Sequence, residues 1–201
     1  MIIRKDQAPV DHADEEDAQM YGASEWLHLS DKGRLTQFGA HVHTLQPGSR
    51  SSDRHWHEEE DEFLYMLSGE GTVIEEDGPH LLHPGDAECW PAGAANAHQV
   101  VNRSDTPCSF LIFGSWAIPD VIHYPDRGEI LYAFEVGSWR LQRTDGTLIK
   151  EGTPERGRLS ASQDCTIHPS AWKVISAKSK FSISAFSEAL ATERCTCTPY
   201  A

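Results

Sequence analysis

The sequence predicts an all-β protein of antiparallel strands. Short apolar or alternating runs follow one another, and Gly, Pro and Asp-Gly pairs separate them, which is typical of all-β domains. Before residue 158, no apolar stripe at helical spacing persists over about ten residues, so the crossover helices that parallel strands need are not expected. A sandwich or a closed barrel is therefore the expected architecture.

The expected strands are short and closely spaced along the chain. Asp77 and Gly78 lie between two of them, and Asp145 and Gly146 lie between two more, where residues that tolerate positive φ suit tight hairpin turns. Antiparallel pairing is expected across both turns. The predicted strands cover residues 36–45, 63–67, 72–76, 80–83, 87–90, 98–102, 108–113, 138–143 and 147–150.

The composition fits one domain with a modest appendage and excludes two classes of partner. The chain has 201 residues, of which 39% are hydrophobic, enough for one core but not two. Its 17 Lys and Arg against 31 Asp and Glu give a net charge of −14, which repels nucleic acid and anionic lipid surfaces. The longest apolar run, residues 110–118, is interrupted by Gly114 and Ser115 and is too short to span a bilayer.

The N-terminus and the cysteines predict a cytoplasmic protein with reduced thiols. The chain becomes acidic by Asp11 without the apolar core of a signal peptide. The five cysteines form an odd set, and their spacing does not match a zinc module.

Two histidines and a carboxylate form the most informative cluster. On a strand, alternate residues share a face, so His55 and His57 can converge on one ion while Trp56 points away. Several residues of the run 58–62 could add a carboxylate, and we choose Glu62 because it directly precedes the next apolar strand. Imidazole and carboxylate together suit Fe, Mn, Ni, Co or Zn and discriminate poorly among them.

Two motifs in this part of the chain resemble those of the cupin superfamily. In the first, one residue separates His55 from His57, and Glu62 and then Gly69 follow at the spacing of that family. The second resembles the stretch from Gly85 to Asn102, which includes Pro91, Gly93 and His98. Each motif departs from the general pattern once. Six residues rather than five separate Gly48 from His55 in the first motif, and four rather than two separate Gly93 from His98 in the second.

The resemblance implies a fold, a ligand set and a division of the chain. The implied fold is a jelly-roll barrel, or double-stranded β-helix, similar to a bacterial group of single-domain cupins whose activity is unsettled. One divalent metal ion would lie in one mouth, held by His55, His57, Glu62 and His98. The expected division is an N-terminal arm at 1–34, the barrel with both motifs at 35–126, an additional β segment at 127–158 and a weakly folded tail at 159–201, where the net charge changes from −15 to +1.

Two side chains are candidate acid or base residues near that metal. His43 forms a second same-face pair with His41 on an earlier strand, and either could line the pocket or lie exposed. Tyr65 could act through its phenol, but its strand parity is opposite to that of Glu62, and the alternative is a wall residue. Residues 58–61 are expected to form a solvated turn at the rim.

These observations favour an enzyme that acts on a small organic substrate. Three imidazoles and one carboxylate in an octahedral shell leave two positions for substrate, O₂ or water, as oxygenase, isomerase or lyase chemistry needs. The alternatives are a non-catalytic module that binds or senses a small ligand, and a barrel in which the ion is only structural. Free strand edges in jelly rolls also predict a homodimer.

Overall fold

The computed structural model describes residues 1–4, 6–135 and 137–152 and confirms the all-β class. The helices in this part of the chain are short: α1 (Glu15–Tyr21), α2 (Leu29–Gly33) and the 3-10 turn Pro125–Arg127. None of the helices in the described part is long and apolar enough to cross a membrane. The strands of the described residues are β1 (Val10–His12), β2 (Ser24–His28), β3 (Gly39–Leu45), β4 (Trp56–His57), β5 (Glu62–Ser68), β6 (Gly71–Glu75), β7 (Gly78–Leu82), β8 (Ala87–Trp90), β9 (Gln99–Val101), β10 (Cys108–Gly114), β11 (Asp120–Tyr124), β12 (Glu129–Glu135), β13 (Ser138–Arg143) and β14 (Leu148–Gly152).

The strands form three antiparallel sheets. Their orders are β1-β2-β3-β10-β5-β8, β14-β13-β12-β11-β4 and β7-β6-β9. Strands far apart in sequence lie side by side, as where β10 pairs with both β3 and β5. This long-range pairing is what a jelly roll requires, because its strands return past one another instead of forming only hairpins.

Apolar side chains from two of the sheets form the main core. Leu45, Leu64 and Phe110 of the six-stranded sheet are fully buried and cluster with Val73 and Val100 of the three-stranded sheet. A smaller cluster of Ile122, Leu131, Ala133 and Leu141 covers the inner face of the five-stranded sheet. Between these two clusters, the sheet faces that look inward carry polar side chains, and the candidate site lies among them.

The N-terminal segment, predicted as an arm, adds two strands to the six-stranded sheet. β2 pairs with β3 along its whole length, from Ser24 opposite Leu45 to His28 opposite His41. The acidic residues Glu15, Glu16 and Asp17 form the first turn of helix α1, which has no buried residue. The Asp14 side chain caps that helix by accepting a hydrogen bond of 2.9 Å from the Asp17 amide, and carboxylates in the first turn suit the helix dipole.

The segment after residue 127 forms the meander β12-β13-β14, which pairs through β11 with β4. Gly146 has a φ of +86° in the β13–β14 turn, as the Asp-Gly pair predicted. The predicted tail at 159–201 lies outside the described residues.

Replacing Leu45 tests this core. Leu45→Ala should lower the free energy of unfolding by about 2–5 kcal/mol, because it leaves a cavity in a fully buried cluster. Leu81→Ala is the matched control, since Leu81 is 53% exposed on β7 and its loss should cost less than about 0.5 kcal/mol. Urea denaturation of both variants measures the difference. Equal costs would contradict the placement of the core.

Candidate metal centre

The four residues predicted as metal ligands come from three places in the barrel. His57 ends β4 and Glu62 begins β5. His55 and His98 lie opposite each other in an isolated antiparallel bridge. The His55 amide donates to the His98 carbonyl at 3.2 Å, and the His98 amide donates to the His55 carbonyl at 2.9 Å. These reciprocal hydrogen bonds fix the two histidines in register.

The ligand atoms converge on one oxygen of Glu62. Its Oε2 lies 2.9 Å from His98 Nε2, 3.8 Å from His57 Nε2 and 3.9 Å from His55 Nε2. A metal ion about 2.1 Å from each ligand atom bridges atoms up to about 4 Å apart. His55, Glu62 and His98 offer atoms within 4.8 Å of one another, whereas His57 belongs to an adjoining group with Glu60 and Asp120.

Each histidine directs its Nε2 inward because an acceptor holds its other ring nitrogen. His55 Nδ1 lies 2.9 Å from the Asp53 carbonyl, and His98 Nδ1 lies 3.1 Å from the Asn96 carbonyl. His57 Nδ1 lies 2.5 Å from the buried Asp120 carboxylate. A carbonyl or carboxylate at Nδ1 selects the tautomer that leaves a lone pair on Nε2, which is the usual support of a ligating histidine. The donor set therefore fits a borderline divalent ion.

The charges of the cluster depend on one another. Burial lowers the pKa of His55 to about 4. Burial alone would also lower the pKa of His57, but the Glu62 and Asp120 carboxylates raise it to about 9. For Glu62, burial would raise the pKa, and His57 and His98 instead hold it well below its usual range. An ionised carboxylate thus faces imidazole nitrogens in a buried place, where a cation is stabilised.

A buried network supports His98 from behind. The Trp90 indole stacks on its ring at 3.8 Å with an angle of 8° between the planes. The Glu75 carboxylate accepts from Trp90 Nε1 at 2.6 Å and from Asn96 Nδ2 at 2.8 Å. Since the Asn96 carbonyl in turn faces His98 Nδ1, Glu75 orients both neighbours of this imidazole.

Glu60 corrects the expectation of a solvated turn at residues 58–61. Its side chain is only 5% exposed, and burial raises its pKa to about 8. Gly114 makes room for it, because a Cβ there would overlap the Glu60 carboxyl group. The other rim residues are held by partners: Glu58 lies 2.7 Å from His123 Nε2, and Asp61 accepts from the Ala92 amide at 2.7 Å.

The two candidate acid or base residues lie in different surroundings. Tyr65 is 39% exposed on β5 and does not line the cavity, which fits its opposite parity to Glu62. His43 is buried in the cavity wall, stacked on Trp26 at 4.6 Å and close to Phe110. His41 also lines the cavity, opposite His28.

The four candidate ligands line a cavity of about 460 Å³ between the sheets. Strands β2, β3 and β10 contribute one wall, and strands β11, β12 and β13 contribute another. This volume is in the range of small-molecule sites. Asp120, Glu60 and the β2 wall were not found from the sequence.

Two solved structures resemble this chain along most of its described length. A sugar phosphate isomerase of the cupin superfamily from Silicibacter pomeroyi is 32% identical, with a TM-score of 0.68 over 75% of this chain and 97% of that chain. A protein from Acidithiobacillus ferrooxidans that is provisionally named a sugar phosphate isomerase is 30% identical, with a TM-score of 0.59 over 64% of this chain and 81% of that chain. No curated protein sequence matches the chain significantly.

A family model also matches the region that carries the candidate ligands. The model of the cupin domain covers residues 41–114, from His41 within β3 to Gly114, the last residue of β10. The near-complete coverage of the Silicibacter pomeroyi protein extends the similarity well beyond that region. This chain therefore belongs to the cupin superfamily.

Proposed function

We propose that this cupin is a divalent-metal-dependent enzyme that acts on a small organic substrate, with isomerase-type chemistry favoured. One observation carries the proposal: three Nε2 atoms and the Glu62 carboxylate face one point in a cavity, and each imidazole has its Nδ1 held by an acceptor. The two neighbours named as sugar phosphate isomerases favour isomerisation over the oxygenase and lyase alternatives.

The residues fit one ion of Fe, Mn, Ni, Co or Zn. His55, His57, Glu62 and His98 would hold it, and in an octahedral shell two positions would stay open to the cavity. A bound ion would supply Lewis-acid polarisation of substrate oxygen atoms. The Asp120 carboxylate orients His57, and the Glu75 network orients His98.

The cavity wall supplies groups that could move a proton. Aldose–ketose isomerisation through an enediol moves a proton between neighbouring carbon atoms and needs no oxidant, so this route requires a protein group that accepts the proton and returns it. His41 lines the cavity, and burial lowers its pKa to about 4, which leaves the imidazole neutral. His43 is confined between Trp26 and Phe110, and Tyr65 lies outside the cavity wall.

We also propose that the protein resides in the cytoplasm and that it forms a homodimer. β14 lies at the end of its sheet, with Leu148 50% and Ile149 41% exposed. A second copy of the chain could cover this strand.

The enzymatic proposal is tested on the full-length protein. Elemental analysis of the isolated protein identifies the metal, and a panel of aldoses and ketoses, free and phosphorylated, is then followed by NMR for interconversion. We expect turnover that a chelator abolishes and the same metal restores. Ligand binding without turnover across isomerase, oxygenase and lyase assays would favour the non-catalytic alternative.

His98 provides a direct test of the candidate ligands. His98→Ala should remove most of the bound metal, because it deletes a ligand 2.9 Å from Glu62 and leaves the main core intact. His83→Ala is the control, since His83 is exposed outside the cavity and its loss should leave metal content unchanged. Both are measured by elemental analysis, with circular dichroism as the check on folding. Full occupancy in His98→Ala would contradict the ligand set.

Metal affinity should rise with pH. The raised pKa of His57, about 9, means that an ion must displace its proton at neutral pH, so affinity should fall about tenfold for each pH unit below that value. Asp120→Asn should flatten this dependence, because it removes one cause of the raised pKa, whereas Asp145→Asn in the distant β13–β14 turn should not. Competition with a chromophoric chelator from pH 6 to 8 measures both. A constant affinity over that range would contradict the role of His57.

A further inference from the structure

The cavity is lined by many carboxylates. Besides Glu62, six acidic residues contribute to its lining: Asp14, Asp17, Asp31, Asp53, Glu60 and Glu129. Carboxylates only accept hydrogen bonds, and a phosphate group is likewise rich in acceptors and negatively charged. Hydroxyl groups, in contrast, donate to carboxylates without bringing charge. The lining therefore favours a hydroxylated ligand and opposes a phosphorylated one.

Among the described residues that line the cavity, Arg127 is the only Lys or Arg. Its charge is already paired with carboxylates. Its Nη1 donates to Asp53 Oδ2 at 2.9 Å, and its Nη2 lies 2.7 Å from Glu129 Oε2. Asp53 also accepts from the Tyr21 hydroxyl at 3.3 Å. Phosphate recognition ordinarily uses an arginine whose planar donors are free for bidentate binding. Here both sides of the guanidinium have a carboxylate partner.

Three histidines of the cavity wall on β2 and β3, namely His28, His41 and His43, do not supply the missing charge. Burial lowers the pKa of His41 to about 4 and that of His43 well below its usual value. Burial also lowers the pKa of His28, which faces Asp11 at 3.1 Å and Asp31 at 3.6 Å. A bound divalent ion and Arg127 together carry three positive charges, against the six carboxyl groups that remain in the lining when the buried Glu60 is left out.

Aromatic side chains form much of the remaining wall. Trp26, Trp116, Trp139 and Tyr124 line the cavity together with Trp90, which stacks on His98. Aromatic walls with a few polar groups fix a ligand by burying its apolar faces and satisfying its hydroxyls. The acidic lining would attract a cationic group at the edge of the cavity. Beside the bound metal ion such a group would be repelled, and a ligand whose oxygen atoms bind the ion has to lie there.

We propose that the cavity takes an uncharged, polyhydroxylated substrate, a free aldose or ketose, and discriminates against the phosphate esters named for its two structural neighbours. This inference rests on the proposed function, because the sugar oxygens would occupy the open positions of the metal centre. It differs from the substrates named for the neighbours by the phosphate group, which makes it testable with matched pairs of ligands.

The experiment uses full-length protein loaded with Mn²⁺ and detects ligands by the paramagnetic broadening of their NMR signals. The pairs are D-glucose with D-glucose 6-phosphate, D-fructose with D-fructose 6-phosphate, and D-ribose with D-ribose 5-phosphate; D-glucosamine is the cationic probe. We expect at least one free sugar to bind at least about tenfold more tightly than its phosphate ester, and more tightly than glucosamine.

A charge variant tests the cause of the selectivity. Glu129→Gln removes one partner of Arg127 and should raise affinity for the phosphate ester about fivefold, the change that about 1 kcal/mol produces. Glu151→Gln is the matched control, because Glu151 pairs with Arg140 on the same sheet outside the cavity lining. It should leave the selectivity unchanged.

The remaining outcomes separate this inference from the proposed function. Phosphate esters that bind as tightly as the free sugars would overturn the inference, and so would preferential binding of glucosamine. Binding of none of these sugars by a protein that retains Mn²⁺ would overturn the substrate class and leave the metal centre standing. Failure to retain any divalent metal would overturn the proposed function first, and the inference with it.

Discussion

The hydrogen bond between His57 on β4 and Asp120 on β11 holds a candidate metal ligand in place within the five-stranded sheet. The two residues are 63 positions apart and both are buried, with Nδ1 and Oδ2 separated by 2.5 Å. Asp120 also accepts from the Glu59 amide at 3.0 Å, so it holds the backbone that leads from His57 to Glu62. One carboxylate therefore sets the direction of an imidazole and the path of the loop between two candidate ligands.

Local patterns predicted the parts of the molecule that local chemistry determines. The Asp-Gly pairs predicted two hairpin turns, and the alternation around Glu62 predicted that Tyr65 would face away from the cavity. Strand alternation predicted that His55 and His57 share a face, and the resemblance to the cupin motifs added His98; the structure places all three imidazoles near Glu62.

Long-range contacts could not be predicted in this way. Nothing near Asp120 in the sequence indicates that it faces His57. Glu60 stands in a run of acidic residues, which indicates an exposed segment, yet its side chain is buried beside Gly114. The segment expected to be an N-terminal arm contributes β1 and β2, which pair with each other and with β3. In each case the tertiary partner, which composition does not reveal, determines the environment.

The pairing of β2 with β3 places one side of the cavity on a segment that precedes the region matched by the cupin domain model. Trp26 and His28 belong to that segment, whereas all four candidate ligands lie within residues 41–114. One part of the cavity wall therefore lies on a stretch of chain separate from the candidate ligands. Sequence changes in that stretch would alter the wall without replacing a candidate ligand, so chains that share the two motifs need not share a cavity shape.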